Sequence, residues 1–433
     1  MKKTLLLLSA ASLLSLQACG GNGDDPPPPN PVTTDSLTAS SLPRVKADVP
    51  AADAAALRDG NTAFATDLYK TLGKSPNFAN QNLFFSPFSI SEALAMTYAG
   101  AKGGTASELQ SAMHFTLPDA RLHAAFDALD LALTTPRSPE RTGAAPLTLN
   151  IANSMWGEAT LAFEQPFLDT LATDYGAGIY RADFIHAPDT ARTTINDWVA
   201  QKTADKIQNL LPSGFITDAT RLVLVNAVYF NARWSSPFSP DATAAGTFHG
   251  ASGDTPAQMM KETGYFAYGA GSGWRAIALP YDGGLTFTAI LPDNLSTFES
   301  SLNAATLASI DSALQRTYVA LTLPRFNIPG ATFSVKSALQ SLGISALFSP
   351  AADLTGISST SKPPLYVGDV AHQAYISVDE KGTEAAAATA VGFAGATQYS
   401  PQPVILTIDK PFVFLIRDNA TGAILFLGRY VGG

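Results

Sequence analysis

The apolar positions of this chain follow two rhythms, one helical and one extended, which occupy different parts of it. From 57 to 72, Leu57, Phe64, Leu68 and Leu72 are spaced along one face of an amphipathic helix. Ser86-Pro87 predicts the start of a second helix, with proline where its missing N–H costs nothing, and Gly100 predicts its stop. Further helices are expected over 105–113, 120–132, 164–173 and 189–202. Elsewhere the pattern is extended. LTLNIANSMW (147–156), RLVLVNAVYF (221–230), WRAIALPY, LTFTAILP, YVALTLPRF, AHQAYISV, VILTI, FVFLIR and AILFLGRY are rich in β-branched or aromatic residues, with turn residues between them. Helices come mainly first and strands mainly last, without βα alternation, which predicts an α+β class with large mixed or antiparallel sheets.

One stretch fits neither rhythm. DEKGTEAAAATAVGFAGATQYSPQP (379–403) contains alanines of high helix propensity, but Gly382, Gly392 and Gly395 break it and nothing larger than Val391 or Phe393 anchors it. By composition alone it is a flexible loop.

The N-terminus has a different build. Lys2 and Lys3 precede a short apolar run, Thr4 to Leu16, too short to span a bilayer and shaped like an export signal. It ends at Cys19, the only cysteine in the chain, and Leu16-Gln17-Ala18-Cys19 resembles the bacterial lipobox, in which the cysteine is diacylated and becomes the new N-terminus. The plainer reading is an ordinary cleaved signal beside a chance cysteine. GGNGDDPPPPNPVTTDS then reads as a linker, flexible at its glycines and extended through Pro26 to Pro29. Gly20 after the cysteine looks like the outer-membrane sorting choice of bacteria with two membranes. The expected organisation is a signal over 1–18, a linker over 19–50 behind a lipidated Cys19, and one domain over 51–433, tethered at the cell envelope.

Loss of the signal removes Lys2 and Lys3 and no acid, taking the formal charge from −9 to −11. That weighs against a nucleic-acid partner, which would want clustered Lys and Arg. A single lipidated cysteine permits neither a disulfide framework nor a thiolate metal site, so the fold must rest on burial. No nucleophile elbow, zinc-protease helix, phosphate loop or dinucleotide fingerprint occurs, and the five histidines are not at metal-ligand spacing. No enzyme activity and no cofactor are expected.

Several segments together resemble the serpins, over nearly everything from 57 to 430. These are NLFFSPFSISEALAMTYAGAKGGTASEL (82–109), LVNAVYFNARWSSPF (224–238), LPRF (323–326), DKPFVFLIRDNATGAILFLGRY (409–430) and, most diagnostic, VAHQAYISVDEKGTEAAAATAV (370–391). The resemblance implies one domain of three β-sheets with about eight or nine helices around them, and an exposed reactive-centre loop, here about 381–403. It implies a monomer that a target serine protease cuts as a substrate. While the protease is still attached as an acyl-enzyme, the loop inserts into the central sheet as a new strand, and a covalent complex results. Some serpins are instead non-inhibitory, acting as binding or structural proteins that are cleaved without trapping anything.

The loop's parity suits insertion. In a strand Thr383, Ala385, Ala387, Thr389, Val391 and Phe393 would share one face, all uncharged. Glu384, Ala386, Ala388, Ala390 and Gly392 would share the other, leaving the single charge in water. Gly382 suits a hinge because glycine reaches backbone angles closed to other residues. Thr383 is small, whereas many non-inhibitory serpins carry a charged or bulky residue near that position. Counting from Glu380 in family register puts the cut between Ala396 and Thr397, a small side chain suited to an elastase-like protease; a shifted frame would offer Phe393 or Tyr399 to chymotrypsin-like ones.

By the same resemblance, Ser86, Ser89, Asn226 and His372 match a polar cluster beneath the sheet-opening region. Each is equally readable as a local cap or a satisfied strand residue. Glu380 and Arg325 resemble a pair at the top of the sheet with Trp234 nearby, although Arg325 reads equally as a solvated strand-end charge. Gln373 departs from the lysine the family often has after the histidine.

Overall fold

The computed structural model describes residues 37–135, 137, 147–383 and 402–433. It begins with a short strand, β1 (Leu37–Thr38), and a long helix, α1 (Ala51–Lys74), which buries Leu57, Phe64, Leu68 and Leu72. β2 (Leu83–Phe85) leads into α2 (Pro87–Tyr98), where the Ser86 hydroxyl accepts from the Ser89 amide and proline occupies the first turn. Next come α3 (Gly103–Ala112), α4 (Asp119–Thr134), β3 (Thr148–Glu158), α5 (Gln165–Tyr175), β4 (Ile179–Ala182) and α6 (Pro188–Lys202). The middle of the chain holds β5 (Leu222–Arg233), β6 (Ala244–Gly250), β7 (Gly253–Gly271), β8 (Trp274–Tyr281) and β9 (Leu285–Pro292). Helices α7 (Leu295–Ser301) and α8 (Ala304–Ala313) precede β10 (Gln315–Pro324), β11 (Phe326–Ile328), β12 (Phe333–Ser334) and α9 (Lys336–Ser341). The chain closes with β13 (Val370–Ala374), β14 (Ile376–Asp379), β15 (Gly382–Thr383), β16 (Val404–Thr407), β17 (Phe412–Asp418) and β18 (Ile424–Tyr430).

The class is α+β, with nine α-helices among the described residues and mixed sheets. One sheet runs β1-β4-β3-β5-β15-β14-β11, with β13 also on β5 and β12 on β13. The other runs β16-β10-β7-β8-β9-β17-β18-β2, with β6 on β7. β7 pairs with β6 and β10 through its first part and with β8 at its end, so the second and third sheets of the expected fold share this strand.

β5 explains its own near-continuous apolar run, since both of its faces are covered. Leu222, Leu224, Val228 and Phe230 join the main core with α1, α2, β17 and β18. Val223, Val225 and Ala227 join a smaller cluster with Trp156, Ile195 and Trp198 of β3 and α6. By this alternation Asn226 faces the α2 side, and so does His372 of β13, between Val370 and Ala374.

The chain departs from the expected linker boundary at 50. Residues 37–50 lie against the domain: β1 extends the first sheet as an edge strand on β4, and the Val45 amide donates to the Thr173 carbonyl. Arg44 pairs with the buried Asp127 at 2.6 Å and with Asp130 at 2.7 Å. A run poor in large side chains reads as linker, yet here Arg44, the β1–β4 pair and the Val45 and Ala47 amides tie it to the domain.

Candidate functional site

At one end of the first sheet β15 separates β14 from β5. Gly382 pairs with Asp379 and Arg233, and Thr383 with Val378 and Ala232, antiparallel on both sides. Two residues of the alanine-rich stretch are therefore already strand. Gly382 has φ +149°, and a Cβ there would lie 2.1 Å from the Ala232 carbonyl oxygen, so only glycine fits. Thr383 is 0% exposed, and its hydroxyl lies 2.6 Å from that of Tyr281.

The surroundings hold this strand in place. Tyr281 stacks on Trp234, centroids 4.3 Å apart, and burial raises its phenol well above the ordinary range, so it stays protonated. The Trp234 indole N–H donates to the Asp379 carbonyl at 2.9 Å, and its backbone amide donates to Lys381. The Phe238 amide donates to the Glu380 carbonyl. Arg325 reaches Glu380 Oε1 through Nε at 2.7 Å and Nη2 at 2.6 Å, and the Thr243 hydroxyl donates to the same oxygen. Burial pushes the Glu380 carboxyl upward, but these hydrogen bonds outweigh it and hold it below the usual carboxylate range. The Glu380 side chain is 6% exposed and that of Arg325 44%, so the pair is sealed on the sheet side and wet on the other.

Below β15 the sheet changes character. β13 lies directly on β5, parallel, from Val370 opposite Leu224 to Ala374 opposite Val228, with His372 opposite Asn226. The polar cluster crosses this seam. His372 Nδ1–H donates to the side-chain Oδ1 of Asn226, and Nε2 accepts the Ser86 amide at 3.1 Å. Asn226 donates to Ser89 Oγ and to Asn153 Oδ1, and Ser89 Oγ–H donates to Asn153 Oδ1 at 2.7 Å. Asn153 in turn donates to Glu92 at 2.6 Å. Ser86, Ser89, Asn226 and His372 thus form one network, which Asn153 and Glu92 extend.

Burial lowers the His372 pKa to about 3, and the Ser86 N–H aimed at Nε2 leaves no place for a second proton. An unfolded imidazole takes its proton near 6.5, so acid favours the unfolded chain between these values and the histidine's contribution to stability is lost as pH falls. Glu92 has the opposite sign: burial raises it to about 8, so its contribution is lost as pH rises from 4.5 toward 8. Comparison with His372→Gln, which keeps Glu92, isolates the histidine. The wild-type advantage in thermal or urea unfolding should shrink by about 2 kcal/mol between pH 6.5 and 5. An unchanged gap would mean that His372 is not held neutral.

Sequence reasoning missed Asn153, Glu92, Tyr281 and Thr243. Two had a local signal: Asn153 interrupts the apolar LTLNIANSMW, and Glu92 is the lone charge in PFSISEALAMTY. Cys19, Glu384, Ala385, Ala386, Ala387, Ala388, Phe393, Ala396, Thr397 and Tyr399 lie outside the described residues. Among the described residues no cluster of His, Cys, Asp and Glu is fit for a metal ion, and no helix is long and apolar enough to cross a membrane.

A family model described as "Serpin (serine protease inhibitor)" matches residues 59–432. The human leukocyte elastase inhibitor is 37% identical over 388 residues, covering 86% of this chain and 98% of its own. Mouse antithrombin-III is 36% identical over 384 residues, covering 86% and 81%. Among solved structures, human thyroxine-binding globulin complexed with thyroxine superposes with a TM-score of 0.78 at 28% identity, covering 88% of this chain and 99% of that one.

Proposed function

This chain belongs to the serpin family, and within it we propose the role of a suicide inhibitor of elastase-like serine proteases, held at a bacterial envelope by lipid on Cys19. The observation that carries the inhibitory reading is the position of Thr383. The first residues of the loop already occupy the gap between β14 and β5, in line with the seam that further loop residues would enter. The next inward positions by parity are Ala385 and Ala387, small enough to follow.

In the proposed reaction the protease serine oxygen attacks the Ala396 carbonyl carbon. The Ala396–Thr397 C–N bond breaks, the Thr397 amine leaves with a proton, and an ester joins Ala396 to the protease. Freed at this end, the loop extends β15 and displaces β13 from β5. One parallel ladder gives way to two antiparallel ones, which have the better per-residue pairing. Glu380 and Arg325 fix the pivot, and Trp234 and Tyr281 hold its inner wall. The His372–Asn226 bond is the side-chain link to be broken as the seam opens.

The test is incubation of the full chain with an elastase. A detergent-resistant adduct and a released peptide beginning at Thr397, by mass spectrometry, are expected. A first residue of Ala394 or Ser400 would move the cut to Phe393 or Tyr399 and the target to a chymotrypsin-like protease. Clean cleavage without adduct across a protease panel would reject trapping and favour the binding-protein alternative, for which the likeness to thyroxine-binding globulin is the supporting observation. Incorporation of labelled palmitate into wild type but not Cys19→Ser tests the anchor.

A further inference from the structure

Between the end of α1 and α7 lies a cleft of about 390 Å³, none of whose lining residues belongs to β5, β13, β14 or β15. Its floor is a charged group of buried side chains. The Arg429 guanidinium, 4% exposed, commits most of its donors to backbone: Nε meets the Gln81 carbonyl at 3.0 Å, and Nη2 meets those of Gly73 and Phe78. Nη1 donates to Glu299 Oε1 at 2.7 Å, and the buried Tyr69 hydroxyl donates to the same oxygen at 2.6 Å. Burial holds the Tyr69 phenol well above its ordinary range, so that proton stays on the tyrosine. Oε1 is therefore filled twice. No donor among the described residues reaches Oε2, and the Glu299 side chain, which lines the cleft, is 18% exposed. A half-buried carboxylate oxygen left without a donor is a vacant acceptor.

The rim carries the opposite charge. Lys70 is held by Asp67 at 3.1 Å, but the exposed Lys74, last residue of α1, has no ion pair among the described residues. Leu295, Pro411 and Val431 add an apolar wall. These groups select the ligand. A simple anion would face Glu299 and a simple amine would face Lys74, whereas a molecule carrying both charges answers each with its opposite. The volume stands near the lower end of the roughly 300–1,000 Å³ of small-ligand pockets. We infer that the cleft between α1 and α7 binds a small zwitterion of the amino-acid or short-peptide class. Its ammonium donates to Glu299 Oε2, its carboxylate accepts from Lys74, and an aliphatic side chain lies against the apolar wall. Such binding is independent of the loop and of trapping.

The experiment titrates the full chain with L-leucyl-L-leucine, followed by saturation-transfer NMR. A dissociation constant of about 1 mM or tighter is expected. N-acetyl-leucyl-leucine, which lacks the ammonium, and leucyl-leucinamide, which lacks the carboxylate, should each bind at least tenfold more weakly. Lys74→Ala, a change at an exposed position, should weaken leucyl-leucine about tenfold at an unchanged melting temperature, yet leave the affinity for leucyl-leucinamide within about twofold of wild type. No saturation transfer at 10 mM leucyl-leucine overturns the site. So does either blocked peptide binding as tightly as the free one, since one of the two charges would then be idle. Equal affinity of wild type and Lys74→Ala for leucyl-leucine overturns it as well.

Discussion

Replacing Thr383 by arginine should convert the protein from inhibitor to substrate, with adduct falling below about one-tenth of the wild-type yield while the loop is still cut. The threonine is fully buried between β14 and β5 with its hydroxyl on Tyr281. A guanidinium placed there would give up its water against the Tyr281 and Trp234 rings, and a buried ion costs several kcal/mol. Since about 1.4 kcal/mol is a factor of ten in rate, insertion would lose its race against hydrolysis of the acyl-enzyme. Thr383→Ser keeps size and hydroxyl and should trap normally. Equal adduct from wild type and Thr383→Arg, read on a denaturing gel, would refute the entry route through β15.

Cleavage in the loop should raise the melting temperature by at least about 10 °C. The intact sheet keeps β13 and β5 in a parallel ladder below a two-residue antiparallel start. Filling the seam replaces that one ladder by two, successive inserted residues bonding alternately to one neighbour and the other, and each bond gained is worth ~0.5–1.5 kcal/mol net. At ~2.1 cal/mol/K per residue, a domain of about 380 residues shifts by roughly 1.2 °C per kcal/mol, so a net gain of about 10 kcal/mol corresponds to roughly 12 °C. Differential scanning calorimetry of nicked and intact protein decides it, and coincident transitions would mean that the cut loop stays outside.

The sequence foretold the elements better than their meetings. α1 is legible because it buries one face at helical spacing, α2 because Ser86-Pro87 and Gly100 mark its ends, and β8 and β9 because they are short apolar and aromatic runs bounded by turns, all of which are local signals. The long ribbon of β6 and β7 was not foreseen, because few large apolar side chains mark its buried face, Phe248, Met259 and Met260 standing among small and polar neighbours. Glu380 and Arg325, far apart in the chain, could be paired by family likeness, whereas nothing in the sequence linked Thr383 to Tyr281. That contact exists because β15 is threaded between two strands, a choice made by the whole sheet. Asn153 faces Asn226 across β3 and β5, and this register also depends on the completed sheet.

If Cys19 carries the proposed lipid, the docked segment from residue 37 sets where a pull on it would be felt. Any load arriving through residue 37 meets first the β1–β4 ladder, with Arg44 clamped to Asp127 behind it. β4 and β3 then stand between that edge and β5. Under the proposed anchor, a load at that edge would fall on β1 and β4 rather than on the gap between β14 and β5 that β15 occupies.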